Sequence, residues 1–181
     1  MRSSRGFTLI ELMITVAILA ILLGVGVPSF VDYIRNSRTS TQVNELATAL
    51  NTARSEAIAR GVPVSVSACS VAPDVSPNDC AAGGLSFEQG WCIHLGDAGA
   101  APAATCTAAN QLRRHEGMLE VVVAPAVPSL TFGRLGQKTS PAGEIALSIV
   151  PKSCPPGSAV RARILSVSPG GRVSVVRTSC P

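Results

Sequence analysis

The sequence predicts an α+β fold: a long N-terminal α-helix, transmembrane in its first half, packed on an antiparallel β-sandwich-like C-terminal domain. Three observations predict it. Across residues 7–31 the only ionisable side chain is Glu11. Across residues 43–57 apolar side chains recur at three- and four-residue spacing. Beyond Gly61 the period changes to two, in short runs bounded by Gly, Pro, Asn and Asp.

The first element is the apolar stretch. Twenty-five residues, 7–31, rising about 1.5 Å each, make a helix long enough to cross a hydrocarbon core of roughly 30 Å. Arg2 and Arg5 precede it and few cations follow closely, so the positive-inside rule leaves the leader in the cytoplasm and sends the rest outward. A secretory signal needs a short apolar region closed by an A-x-A-like site, whereas the small residues here lie inside the run. An ordinary anchor does not carry a carboxylate one turn into the hydrocarbon, where a charge costs about 2.5–3.5 kcal/mol. Glu11 is therefore a functional residue by default, tolerable once a cation partners it.

Residues 32–61 form the second half of the helix. Pro28, after Gly24 and Gly26, cannot donate to the Gly24 carbonyl, so a bend or local melting is expected there. Beyond it Val43, Leu46, Ala47, Leu50, Ala53 and Ala57 make one stripe, with Arg54, Glu56 and Arg60 off it. Gly61 and Pro63 end the helix.

Residues 62–181 make one extracytoplasmic β domain. Val64, Val66 and Ala68 alternate with Ser65 and Ser67 in a half-buried strand, and residues 69–84 are a Pro-, Asp- and Gly-rich loop. Trp91, Ile93 and Leu95 alternate with Cys92 and His94 in a second strand. Further strands are expected near 112–114 and at 119–123, 129–135, 144–150, 160–167 and 172–178. Between the last two, Ser168-Pro169-Gly170-Gly171 suits a type II turn with Pro169 and Gly170 at its centre. That turn sets Val167 opposite Arg172 and Arg163 opposite Val176. One face of the hairpin then carries Val160, Ala162, Ile164, Val173 and Val175, and the other gathers Arg161, Arg163 and Arg172.

Charge is uneven: residues 7–120 hold six basic against ten acidic side chains, and residues 121–181 hold seven basic against Glu144 alone. Six aromatics among many Ala, Val, Gly, Ser and Pro predict a small-residue core. All six cysteines lie beyond the apolar stretch, on the oxidising side, so disulfides are expected. Six cysteines allow 15 connectivities. Local closure is the expected pattern, Cys69 with Cys80, Cys92 with Cys106 and Cys154 with Cys180, because each pair brackets a loop or a strand end. No C-x-x-C occurs and His94 and His115 lack ligand spacing, so no metal or other cofactor is expected. Asp97, Glu116, the two histidines and many serines permit paper triads, but no nucleophile elbow, H-E-x-x-H or phosphate loop surrounds them. The histidines are expected at the surface, and the chain is not expected to be an enzyme.

Gly6-Phe7-Thr8-Leu9-Ile10-Glu11-Leu12 resembles the class III signal of type IV pilins and type II secretion pseudopilins. The resemblance implies a pilin-like fold, cleavage by a prepilin peptidase between Gly6 and Phe7, N-methylation of Phe7, and pairing of Glu11 with the N-terminal amine of a neighbouring subunit during assembly. Residues 1–6 are then the leader. Ala53-Arg54-Ser55-Glu56-Ala57-Ile58-Ala59-Arg60 is similar to the end of the long helix in the GspH/FimT branch, and so is the pattern of Gly90-Trp91, a Gly-rich loop at 96–99, and Leu112-Arg113. The resemblance implies a minor pilin or pseudopilin of a type IV pilus or type II secretion system, held in the inner membrane with a periplasmic domain. Other pilins are its implied partners. Some FimT-type members also bind DNA for natural transformation through a C-terminal G-R-x-R motif. Here Gly171-Arg172-Val173 fits and Ser174 replaces the second Arg, so the carry-over reaches Gly171 and Arg172, with Arg161 and Arg163 expected to supply charge from across the hairpin.

Overall fold

The computed structural model describes residues 8–70, 84–101, 105–118, 120–157 and 159–180. The first element is a single helix, α1 (Leu9–Arg60). Thr8 caps it in an extended conformation, its hydroxyl accepting the Glu11 N–H, and Gly61 closes it in the left-handed region at φ 65°. The helix runs unbroken through residues 24–28, where local melting was expected.

Among the described residues nine strands follow: β1 (Val64–Ala68), β2 (Gly90–Leu95), β3 (Gln111–Glu116), β4 (Val121–Ala124), β5 (Ser129–Phe132), β6 (Lys138–Ser140), β7 (Ile145–Pro151), β8 (Arg161–Val167) and β9 (Val173–Ser179). They form two sheets, β3-β2-β1-β5-β6 and β4-β7-β8-β9, antiparallel throughout. The strand expected at 129–135 ends as β5 at Phe132, and residues 133–137 turn the chain into β6. Gly136 turns the chain at φ 78°, and the Gly133 N–H donates to the Gln137 carbonyl at 2.8 Å.

Both sheets press their apolar faces against the second half of α1. Val43, Leu46, Leu50, Ala53 and Ala57 are buried there, against Val66, Ile93, Leu130 and Phe132 of one sheet and Leu147, Ile149, Leu165 and Val167 of the other. Over β1 the opposite face of the five-stranded sheet is covered as well, so this strand is buried on both sides and not half-buried. Ser65 lies beneath the loop after β2. Its hydroxyl bonds the Gly96 carbonyl and the Thr131 hydroxyl, each at 2.8 Å, and accepts the Ala98 N–H at 3.0 Å. Among the described residues two disulfides join described cysteines, Cys92–Cys106 and Cys154–Cys180. The expected pairing of Cys69 with Cys80 involves Cys80, which lies outside the described residues.

Candidate functional site

Two regions carry the residues singled out from the sequence, the uncovered half of α1 and the β8–β9 hairpin. In the first, Leu9, Ile10, Leu12, Leu19, Leu23 and Phe30 are exposed, uncovered by the β domain. Among the described residues α1 is the helix long and apolar enough to cross a membrane, and none of its most apolar 18-residue window is buried. Glu11 sits in the first turn, at the third helical position, and Thr8-x-x-Glu11 is the spacing of a capping box, a signal present in the sequence itself. A carboxylate there meets the positive end of the helix dipole, which lowers the cost of its place in an apolar run. Gly6 and Phe7 lie outside the described residues.

In the second region the structure corrects the hairpin. The Ser168 carbonyl accepts the Gly171 N–H at 2.9 Å, the Ser168 N–H donates to the Arg172 carbonyl at 3.0 Å, and Gly171, not Gly170, holds the positive φ, 78°. This is a three-residue loop with the left-handed residue last, and it shifts the ladder by one position from the type II expectation. Val167 faces Val173, and Arg163 faces Arg177. Val173 and Val175 thus share a face with Arg161, Arg163 and Arg177, while Val160, Ala162 and Ile164 lie on the other.

The expected gathering of Arg161, Arg163 and Arg172 is therefore not assembled. Arg172 lies at the turn, its N–H donating to the Ser168 hydroxyl at 3.1 Å, and Arg161 begins β8 at the opposite end, roughly 20 Å away at 3.3 Å per residue. Gly171 has a packing reason of its own. A β-carbon there would collide with the Gly136 carbonyl and reach within 3.1 Å of the Arg54 Nε. Arg54, from the motif at the end of α1, donates to that same Gly136 carbonyl at 3.0 Å, tying the helix to the β5–β6 turn. At the other end Asn36 grips the entry to β8, donating to the Ala159 carbonyl at 3.0 Å and accepting the Arg161 N–H at 2.8 Å.

The one-residue shift brings Arg177 opposite Arg163. Arg163 is only 5% exposed, on the helix-facing side of β8, and its Nη1 has no hydrogen-bond partner among the described residues. Burial first, and then the Arg177 charge, push its pKa below the usual guanidinium value. With Arg161 the two surround a cavity of about 440 Å³ against Tyr33, Asn36, Ser37 and Ser40 of α1.

The two histidines sit in different settings. His94 is fully buried, not at the surface; its Nε2 meets the Ser67 hydroxyl at 2.8 Å and its Nδ1 meets the Leu95 carbonyl at 3.2 Å. The place a triad gives to a carboxylate is taken by that backbone carbonyl, and burial holds the His94 pKa below its ordinary 6.5. Asp97 instead accepts the Gly99 N–H at 2.8 Å. His115 stacks on Trp91 with ring centroids 4.2 Å apart and pairs with Glu45 at 3.3 Å.

Comparison with known proteins agrees with this architecture. Residues 1–27 match the prokaryotic N-terminal methylation motif, and residues 42–171 match the family of the type II transport protein GspH. Among curated relatives, Fimbrial protein Q of Moraxella bovis is 51% identical over 47 residues, 26% of this chain and 30% of that protein. A fimbrial protein of Pseudomonas aeruginosa is 43% identical over 68 residues, 38% of this chain and 44% of that protein. The chain thus spans less than half the length of these relatives. The crystal structure of the type IV minor pilin FimU of Pseudomonas aeruginosa superposes with a TM-score of 0.53 at 24% identity, covering 78% of this chain and 99% of that one, a likeness of fold. A long helix laid across two antiparallel sheets, a family match over most of the chain and an N-terminal methylation motif lead to one conclusion: the chain belongs to the GspH family of pilin-like proteins.

Proposed function

We propose that this chain is a structural, non-catalytic subunit of a filament, a minor pilin of a type IV pilus or a pseudopilin of a type II secretion system. Residues 7–31 hold it in the inner membrane with the β domain in the periplasm. A prepilin peptidase cuts after Gly6, Phe7 is N-methylated, and α1 then packs against the helices of other pilins or pseudopilins. The carrying observation is that the first half of α1 is continuous with the rod that builds the core, yet wholly uncovered by it. So large an apolar surface demands lipid or other helices around it. A filament offers the second when the chain leaves the first. The family description favours type II transport, and the partial fimbrial matches favour a pilus.

In this reading Glu11, fifth residue of the cleaved chain, meets the amine of a neighbouring Phe7, the cation that an apolar surrounding requires. Mass spectrometry of protein extracted from membranes is expected to find N-methylated Phe7 as the first residue, and a start elsewhere overturns the cleavage site. Glu11→Ala is expected to insert and be cut as the parent is but to be lost from sheared filaments. Undiminished incorporation would remove the pairing role.

A further inference from the structure

The cavity under the start of β8 lies outside the assembly role just described. Arg161, Arg163 and Arg177 contribute to its wall, α1 adds the amide of Asn36 and the hydroxyls of Tyr33, Ser37 and Ser40, and no described residue lining it is acidic. Asp32, just before Tyr33, pairs with Arg35 at 3.6 Å. The side chain of Arg161 already donates from Nη1 to the Val160 carbonyl at 3.1 Å. Arg163 is different: its buried Nη1 has no acceptor among the described residues, and Arg177 stands directly opposite it in the ladder. A buried charged donor left unanswered beside a like charge is destabilising, and one anion placed between them relieves both terms.

The position along α1 identifies the anion. Tyr33 comes two residues after the apolar stretch ends at Val31. Residues 33–36 therefore stand roughly 3–8 Å beyond that end. Polar headgroups thicken a bilayer from roughly 30 Å to 40–45 Å, which places the mouth of the cavity within their layer. Tyr33, 69% exposed, is the kind of aromatic that settles at this boundary.

We propose that the cavity of Arg161, Arg163 and Arg177 takes the phosphate of an anionic phospholipid from the outer leaflet while the subunit is stored in the membrane. This rests on the membrane reading of residues 7–31. Guanidinium groups suit phosphate through paired, charge-assisted hydrogen bonds. Free phosphate shares that chemistry, and the test separates the two sources.

The full chain is placed in phosphatidylcholine nanodiscs containing a minority of phosphatidylglycerol, released into neutral detergent, and weighed by native mass spectrometry for retained lipid. Wild type is expected to keep phosphatidylglycerol in preference to phosphatidylcholine. Arg163→Gln and Arg177→Gln are expected to lose about tenfold of that preference, the order of one charge-assisted bond. Arg163→Lys keeps most of it, and Arg172→Gln, at the far end of the hairpin, keeps all. Arg177 is exposed on an edge strand, so its variant reads the site even where Arg163→Gln fails to fold. Equal retention by wild type and Arg177→Gln overturns the proposal. Displacement of the lipid by millimolar inorganic phosphate, or by a duplex oligonucleotide, overturns it in favour of a soluble anion or a nucleic acid. A chain washed from membranes by carbonate overturns this proposal together with the membrane reading. A chain that stays inserted without lipid preference overturns this proposal alone.

Discussion

Replacing Gly171 with alanine is expected to destabilise the β domain severely, whereas the same change at Gly170 is expected to leave it unharmed. Gly171 holds φ 78°, a conformation that costs an L-residue about 1–2 kcal/mol. Its new β-carbon would also overlap the Gly136 carbonyl, a backbone atom already engaged by Arg54, and forced overpacking adds about 1–3 kcal/mol. Together these amount to about 2–5 kcal/mol, or a fall in Tm of roughly 4–20 °C for a domain of this size. At Gly170 the nearest atom a β-carbon would meet is the Ser168 hydroxyl at 3.9 Å, and its φ is not positive. The assay is thermal unfolding of the full chain in neutral detergent with disulfides intact. Trp91, the sole tryptophan and 1% exposed, serves as the fluorescent reporter. A Gly171→Ala variant within about 0.5 kcal/mol of wild type would refute the packing account, because both costs are too large to vanish together. Equal losses at 170 and 171 would refute it as well, since only one of them meets Gly136.

Two further predictions concern stability. His94 titrates near 6.5 when unfolded and lower when buried, so below about pH 6.5 the unfolded chain binds the extra proton and stability falls until the folded pKa is reached. Thermal melts between about pH 7.5 and pH 5 should show that slope in wild type and lose it in His94→Gln; parallel curves would disprove the assignment. Replacing Cys154 and Cys180 together with serine opens a closure spanning 26 residues. By chain entropy alone this should cost about 3.5 kcal/mol in denaturant titrations, and a loss below about 1 kcal/mol would show that the bond tethers little.

The sequence made the helix legible because its signals are local. The stripe from Val43 to Ala57 needs only the 3.6-residue period, and it is the stripe that the two sheets cover. The hairpin shows where local reading ends. Ser168-Pro169-Gly170-Gly171 accommodates a left-handed residue at either glycine, and the choice is made from outside, by the Gly136 carbonyl against Gly171 and by the Lys138 N–H donating to the Pro169 carbonyl at 2.9 Å. One residue of register then decides whether Arg163 meets Val176 or Arg177, and with it whether an arginine cavity exists. His94 failed for a related reason. Alternation correctly set it on the polar face of β2, but a polar face reads as a solvent face until the loop at 96–101 is known to fold over it. The membership of β4 and β7 in a different sheet from β1 and β2 likewise depends on contacts far apart in sequence, which no window of residues contains.

The two clamps on α1 have a mechanical consequence. Asn36 grips the entry to β8 and Arg54 grips the β5–β6 turn, 18 residues apart, roughly 27 Å along the helix. A pull on the apolar end is therefore shared between two anchor points that bracket the stripe from Val43 to Leu50, and the domain is loaded in shear along its length. Peeling from one end would break contacts singly, whereas shear must break them together. A subunit drawn bodily out of a bilayer by its helix brings its β domain along as a rigid load.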